Sequence, residues 1–177
     1  MNKLNQVPAL LQRAASQWKA IHPKLPVDDA ALIGLLIGVG ANADTLGVQQ
    51  LKPFALCQTE HDVLACARRQ GPPYQVTPAL LLEEVRITSG ALTTCLNRLI
   101  EKSLISRVPS QTDLRSKPVQ LTEQGLMLID QLTKVRFELA AQVLAGFSAD
   151  EKTQLKSLLA KVQQGLNQDT ATATLTA

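Results

Sequence analysis

Apolar residues recur every three to four positions from Pro8 to Ile21, where Leu10, Leu11, Ala14, Ala15 and Trp18 form one stripe. That spacing predicts an amphipathic helix. Pro23 and Pro26 break it, and Asp28 and Asp29 follow where a helix start favours carboxylates. The next helix is expected from Ala30 to Leu51 and is apolar around most of its circumference, so it has to be covered. Gly34 and Gly38 leave room for another helix to approach closely. A chain this small has little core in which to hide such a helix, so a partner subunit is the expected cover.

Beyond Pro53 the pattern predicts a short helix over Thr59 to Gln70, a Gly71-Pro72-Pro73 turn and a short strand at Tyr74 to Val76. Thr77-Pro78 opens a further helix, with threonine as cap and proline at its first position. After a tight connection at Arg86 to Thr88, Ser89 is expected to cap a helix reaching Lys102. The period then changes from helical to alternating. Leu104 to Val108 and Pro118 to Leu121 read as two strands joined by a polar tip, Pro109 to Ser116. A long helix from Thr122 to Gly146 follows. Ser148 and Glu151 then make a capping box for a last helix ending near Leu166. The Thr/Ala-rich end, Asp169 to Ala177, is expected to fray.

Helix, turn, helix and a two-stranded wing is the informative order. On the Ser89–Lys102 helix, Leu92, Leu96, Leu99 and Ile100 form the inward stripe, with Cys95 on the same side. Ser89, Gly90, Thr93, Thr94, Asn97, Arg98 and Glu101 lie away from it. The outward face is small near its start, as a helix lying deep in a major groove requires. Arg115 and Lys117 place two cations on the wing, where a guanidinium can enter a narrow minor groove. Asp113 is expected to hold Arg115 or cap the turn rather than face phosphates. An ordinary solvated helix face would show the same amphipathic pattern, so the helix alone does not decide the matter.

Charge sharpens this picture. The 177 residues carry a net +3 and a pI of about 8.9. Between Arg86 and Lys117 six positive and two negative residues give a net +4, so the basicity is concentrated in the helix–wing stretch. Apolar residues at 45% and charged residues at 19% describe an ordinary globular chain. Three cysteines without CxxC spacing argue against a disulfide framework or a zinc ribbon, and His22 and His61 lack metal-ligand spacing with them. The start of the chain is polar where a secretory signal would be apolar, and the longest apolar run, Ala30 to Ala41, falls short of the ~20 residues of a membrane span. A cytoplasmic location is expected. No phosphate-binding glycine loop or hydrolase signature is present, so neither an enzyme nor a cofactor is expected.

Asp113 and Arg115, with Leu121, Thr122 and Gly125 downstream, resemble the D-x-R and L-T-x-x-G elements of the MarR family of bacterial regulators. Leu99 to Arg107 is similar to a further stretch of that family. The resemblance covers residues 57 to 130 well, and departs at Leu114, where a second arginine is usual, and at Ser103, where glycine is usual. It implies a mainly α fold: a winged helix-turn-helix with N- and C-terminal dimerisation helices. The expected division is 1–56 and 126–168 for the dimer helices, 57–125 for the DNA-binding lobe and 169–177 for a flexible tail. It further implies a homodimeric repressor on palindromic double-stranded DNA, released by a small effector.

Trp18 with His22-Pro23, Glu60 to Ala65, Arg68 to Tyr74 and Ser89 to Thr94 resemble the urate-responsive branch of that family. The branch assigns ligand recognition to a tryptophan, an aspartate and two arginines. Trp18, Asp62 and Arg107 fall on three of those positions, and Cys95 stands on the fourth. A thiol in place of a guanidinium removes charge-assisted bonds worth about 1.5–3 kcal/mol each. An aromatic or phenolic acid therefore suits the expected site better than urate. Two alternatives stay open at this point: a thiol-based redox repressor using Cys95, and a winged-helix protein-interaction module that never binds DNA.

Overall fold

The computed structural model describes residues 7–109 and 117–173. Among these residues the order is α1 (Val7–Ile21), α2 (Val27–Leu51), a 3-10 turn (Lys52–Phe54), α3 (Gln58–Arg69), β1 (Gln75–Val76), α4 (Pro78–Val85), α5 (Ser89–Glu101), β2 (Ile105–Arg107), β3 (Val119–Leu121), α6 (Glu123–Val143) and α7 (Ala149–Ala173). Every element expected from periodicity is present. The strands form one antiparallel sheet in the order β1-β3-β2, with Val76 opposite Val119 and Ile105 opposite Leu121. The short segment at Gln75 thus extends the wing into a third strand.

Contacts divide the chain into two compact units, Met1–Thr133 and Lys134–Ala177, with the boundary inside α6. The core belongs to the first. Val63, Leu64 and Ala67 of α3, Leu81 of α4, Leu92, Leu96 and Leu99 of α5, Leu104 and Ile105, Val119 and Leu121, and Ile129 and Leu132 of α6 are all buried together. The three-to-four spacing on each helix and the alternation on β3 place these residues inward.

The corner between wing and α6 is built by Leu121-Thr122-x-x-Gly125. The Thr122 hydroxyl donates to the Ser103 carbonyl at 2.7 Å and accepts from the Gly125 N–H at 3.0 Å, while the Thr122 N–H donates to the Leu104 carbonyl at 3.1 Å. Gly125 is buried here, and a Cβ built on it would overlap the Leu104 carbonyl oxygen. Ser103 turns the chain at φ +58, a left-handed position that a glycine would occupy without steric cost.

The N-terminal helices pack on each other, and Gly34 performs the predicted role there. A Cβ at that position would press against Leu11 of α1 at 2.8 Å. α2 starts at Val27, three residues earlier than expected, so Asp28 and Asp29 lie in its first turn and Pro26 precedes it without a side-chain cap. Only Leu51 of α2 is buried in this chain, and Leu32, Ile33, Ile37 and Val39 stand 41–67% exposed. By length and composition alone, Val27–Phe54 is also long enough to cross a bilayer, which the twelve-residue estimate from the sequence missed because it stopped at the first polar interruption.

In the second unit, Ser148 and Glu151 make the predicted capping box, with Ser148 N–H to Glu151 Oε2 at 2.8 Å and Glu151 N–H to Ser148 Oγ at 3.2 Å. That backbone bond holds the Glu151 carboxyl below its ordinary range. α7 runs on to Ala173, past the expected end at Leu166. Alanine and threonine in that stretch lack a breaker, so the helix continues.

Candidate nucleic-acid interface

α4, the turn after it and α5 form the helix-turn-helix. Thr77 caps α4, its hydroxyl accepting from the Leu80 N–H at 3.3 Å, with Pro78 in the first turn as predicted. Arg86 ends the helix in the left-handed region at φ +55 and is exposed. The cap of α5 is Thr88, not Ser89. Its hydroxyl accepts from the Ala91 N–H at 3.3 Å, which moves the helix start on by one residue and places Ser89 in the first turn.

Leu92, Cys95, Leu96 and Leu99 are buried on the inner side of α5. Ser89, Gly90, Thr93, Thr94, Asn97 and Arg98 are all exposed on its outer side. Thr93 and Thr94 donate their hydroxyl protons back to the carbonyls of Ser89 and Gly90, at 3.0 and 3.1 Å. Their hydroxyls therefore face outward as acceptors beside their methyl groups. Among the described residues, no atom beyond its own helix backbone and chain neighbours lies within 4 Å of a Cβ built on Gly90, so the start of this face is bare.

Cations surround it. Arg86, Arg98, Arg107 and Lys117 form no ion pair among the described residues, whereas Arg68, Arg69 and Lys102 pair with Asp130, Glu84 and Glu60. Lys117 is exposed at the foot of β3. Arg115 and Asp113, the expected wing tip, lie outside the described residues. Arg107 reaches from β2 to α5, where its Nη2 donates to Asn97 Oδ1 at 3.3 Å.

One ion pair outside this face fixes how α5 is held. Lys102 Nζ donates to both Glu60 carboxylate oxygens at 2.9 Å and to the Ala55 carbonyl at 2.7 Å. Burial by itself pushes the Glu60 carboxyl up. The Cys57 N–H, donating at 2.9 Å, and Lys102 outweigh that and hold it below the ordinary value. The end of α5 is thereby tied to the start of α3. A second tie runs from α3 to α6. Arg68 Nε donates to Asp130 at 2.7 Å, and its guanidinium lies 5.0 Å over the Tyr74 ring. Sequence reasoning missed both ties, because a pair separated by 42 or 62 residues leaves no periodic signal.

The four expected ligand residues all fall in the first unit, and no hydrogen bond, ion pair or ring contact joins them to one another. Trp18 stacks on His22 with ring centroids 5.9 Å apart, and lines a cavity of about 140 Å³ between α1 and α2 with Leu11, Ala14, Val27 and Ala30. Asp62 accepts from Gln58 Nε2 at 2.7 Å and meets His61 Nδ1 at 3.0 Å. Arg107 turns to Asn97. Cys95 is buried in the core, where burial pushes its thiol up to about 12. The charges that act on Cys95 come from Cys57, Glu60, Arg98 and Lys102, not from Arg107. A thiolate is the reactive form of cysteine, so this environment argues against redox sensing at Cys95.

The model of the MarR family matches residues 56–117. The chain is 33% identical over 150 residues to the HTH-type transcriptional regulator PecS of Dickeya dadantii (strain 3937), covering 85% of this chain and 90% of that protein. Among solved structures, a cysteine mutant of MarR from E. coli in complex with operator DNA superposes with a TM-score of 0.64 at 29% identity, covering 82% of this chain and 96% of the other. Wild-type apo MarR from E. coli gives a TM-score of 0.60 at 30% identity, with 72% and 93% covered.

Proposed function

The chain belongs to the MarR family of DNA-binding transcriptional regulators, and from that premise we propose that it is a homodimeric repressor which a small anionic effector releases from a palindromic operator. The observation that carries this reading is the outer face of α5. It is bare at Gly90, polar through Asn97, and bordered by Arg86, Arg98, Arg107 and Lys117, which have no carboxylate partners among the described residues. A carboxylate-neutralised face would gain little from phosphates, whereas unpaired cations release counterions on binding. Ser89, Gly90, Thr93, Thr94, Asn97 and Arg98 enter the major groove, and the wing cations expected from the sequence, Arg115 and Lys117, serve the adjacent minor groove.

Pairing through the N- and C-terminal helices sets two copies of α5 about one DNA turn apart, ~34 Å. The exposed apolar residues of α2 support a second copy as their cover, and Asp28, Asp29 and Asp44 on the same helix make a bilayer a poorer one. The lobes then divide as 1–56 and 126–168 for pairing and 57–125 for DNA. For the effector, the exposed Trp18 ring, the Asp62 carboxylate and the Arg107 guanidinium suit an aromatic or phenolic acid. Trp18 supplies a stacking face and Arg107, once drawn off Asn97, the countercharge, with Cys95 contributing no charge. Release follows if the effector binds the DNA-incompetent arrangement more tightly.

The test is selection of bound duplexes from random DNA, repeated over salt and with aromatic acids and urate present. Palindromic sites with half-sites one turn apart, steep salt dependence and loss of retention with an aromatic acid are expected. Salt-insensitive or absent duplex binding would turn the reading toward a protein-interaction module. A monomer in sedimentation would remove the two-helix geometry.

A further inference from the structure

Arg107 and Asn97 sit on different elements, and their side chains meet. Arg107 stands opposite Val119 in the ladder, and the next residue, Val108, donates its N–H to the Pro118 carbonyl at 3.0 Å, so the Arg107 backbone is fixed. From there the guanidinium spans to α5. An arginine has no acceptor, so Asn97 must turn its carbonyl oxygen toward it. The Asn97 side chain makes no other hydrogen bond among the described residues, and both residues are exposed. What the pair presents outward is therefore the asparagine NH2 and the remaining guanidinium N–H groups. It offers donors and has its amide acceptor turned inward.

We propose that the Arg107–Asn97 pair is a donor-only reading head that selects guanine at one position of each half-site. In the major groove guanine presents two acceptors, N7 and O6, and no donor. Adenine presents N7 together with an N6 donor, and cytosine an N4 donor, which meet the guanidinium unfavourably. An unengaged asparagine does the opposite, because its oxygen and nitrogen together match adenine. Arg107 thus sets what Asn97 reads. This rests on the proposal that α5 lies in the major groove.

The experiment is selection from randomised duplexes by the full-length wild type, Arg107→Met and Asn97→Ala, each followed by affinity against salt. For the wild type, one position per half-site favours guanine over adenine by about tenfold. In Arg107→Met the freed asparagine carbonyl shifts that same position toward adenine. In Asn97→Ala the guanine preference there falls at least fivefold, since the guanidinium loses its anchor. Full guanine preference in Asn97→Ala would show the arginine reading alone and overturn the pair. So would an unchanged base preference in Arg107→Met with the salt slope reduced by about one, the mark of a phosphate contact. If the wild type retains no duplex, the groove reading itself fails, and that outcome is distinct from either variant result.

Discussion

Gly125 lies so close beneath Leu104 that its missing Cβ is the space occupied by the Leu104 carbonyl oxygen. That carbonyl also accepts the Thr122 N–H, so it cannot move aside without giving up the corner that joins wing to α6. Gly125→Ala is expected to cost about 1–3 kcal/mol of stability, the range for forced overpacking. Urea denaturation measures it, and a change of only a few tenths would mean that the corner yields more easily than its bonds suggest.

Ser103→Gly should act in the other direction. At φ +58 a side chain pays about 1–2 kcal/mol that glycine does not, partly offset by the greater freedom of glycine in the unfolded chain. A net gain of about 0.5–1 kcal/mol is expected. It would appear as a rise of a few degrees in thermal midpoint. An unchanged or lower midpoint would contradict a strained serine.

Lys102→Met should destabilise by about 2–3 kcal/mol, because it leaves the buried Glu60 carboxylate with one partner fewer. The pH dependence follows from the direction of the Glu60 shift. Its folded value lies below the ordinary 4.5, so ionised Glu60 adds stability that is complete above 4.5 and is lost as pH falls through the lowered value. Unfolding free energies measured between pH 7 and pH 3 should therefore drop less steeply in Lys102→Met than in the wild type. Equal slopes would count against the tie.

The cysteines should differ in reactivity. Cys57 is exposed, while Cys66 and Cys95 are buried and burial raises both thiols. With its thiol pushed up to about 12, Cys95 stays protonated at pH 7. A disulfide reagent should modify one cysteine promptly in the native protein and the other two only on unfolding. Peroxide-sensitive DNA binding that vanishes in Cys95→Ser would restore the redox alternative.

Gly90→Leu separates folding from binding. Among the described residues nothing beyond the local helix stands within 4 Å of the new Cβ, so the fold should lose nothing and gain a few tenths of a kcal/mol in helix propensity. Duplex affinity should fall tenfold or more, since the side chain fills the bare start of the face. Equal affinity would place the start of α5 outside the groove.

Periodicity made the helices, the wing and the inward residues of α5 legible, because burial repeats along the chain. The outward residues followed as the remainder. Capping chemistry was less sharp: Thr88 and Ser89 are both good caps, and only the turn geometry after Arg86 selects the first. Leu121, Thr122 and Gly125 were recognisable as a motif, but the reason for the glycine emerged only from the approach of Leu104. Pairs such as Lys102–Glu60 and Arg107–Asn97 join elements whose mutual placement no local pattern encodes. For the same reason the ligand residues could be named by resemblance but not assembled. Within one chain Trp18, Asp62, Cys95 and Arg107 each keep separate neighbours.

Trp18 is the single tryptophan of the chain, and it stacks on His22 at the edge of the α1–α2 hairpin with half its surface in water. Its emission is therefore a one-site optical signal, free of background from α5 and the wing. Anything that settles on that indole or draws the imidazole away from it will register in colour or intensity without a label. Events confined to the grooves of the duplex will leave the spectrum still.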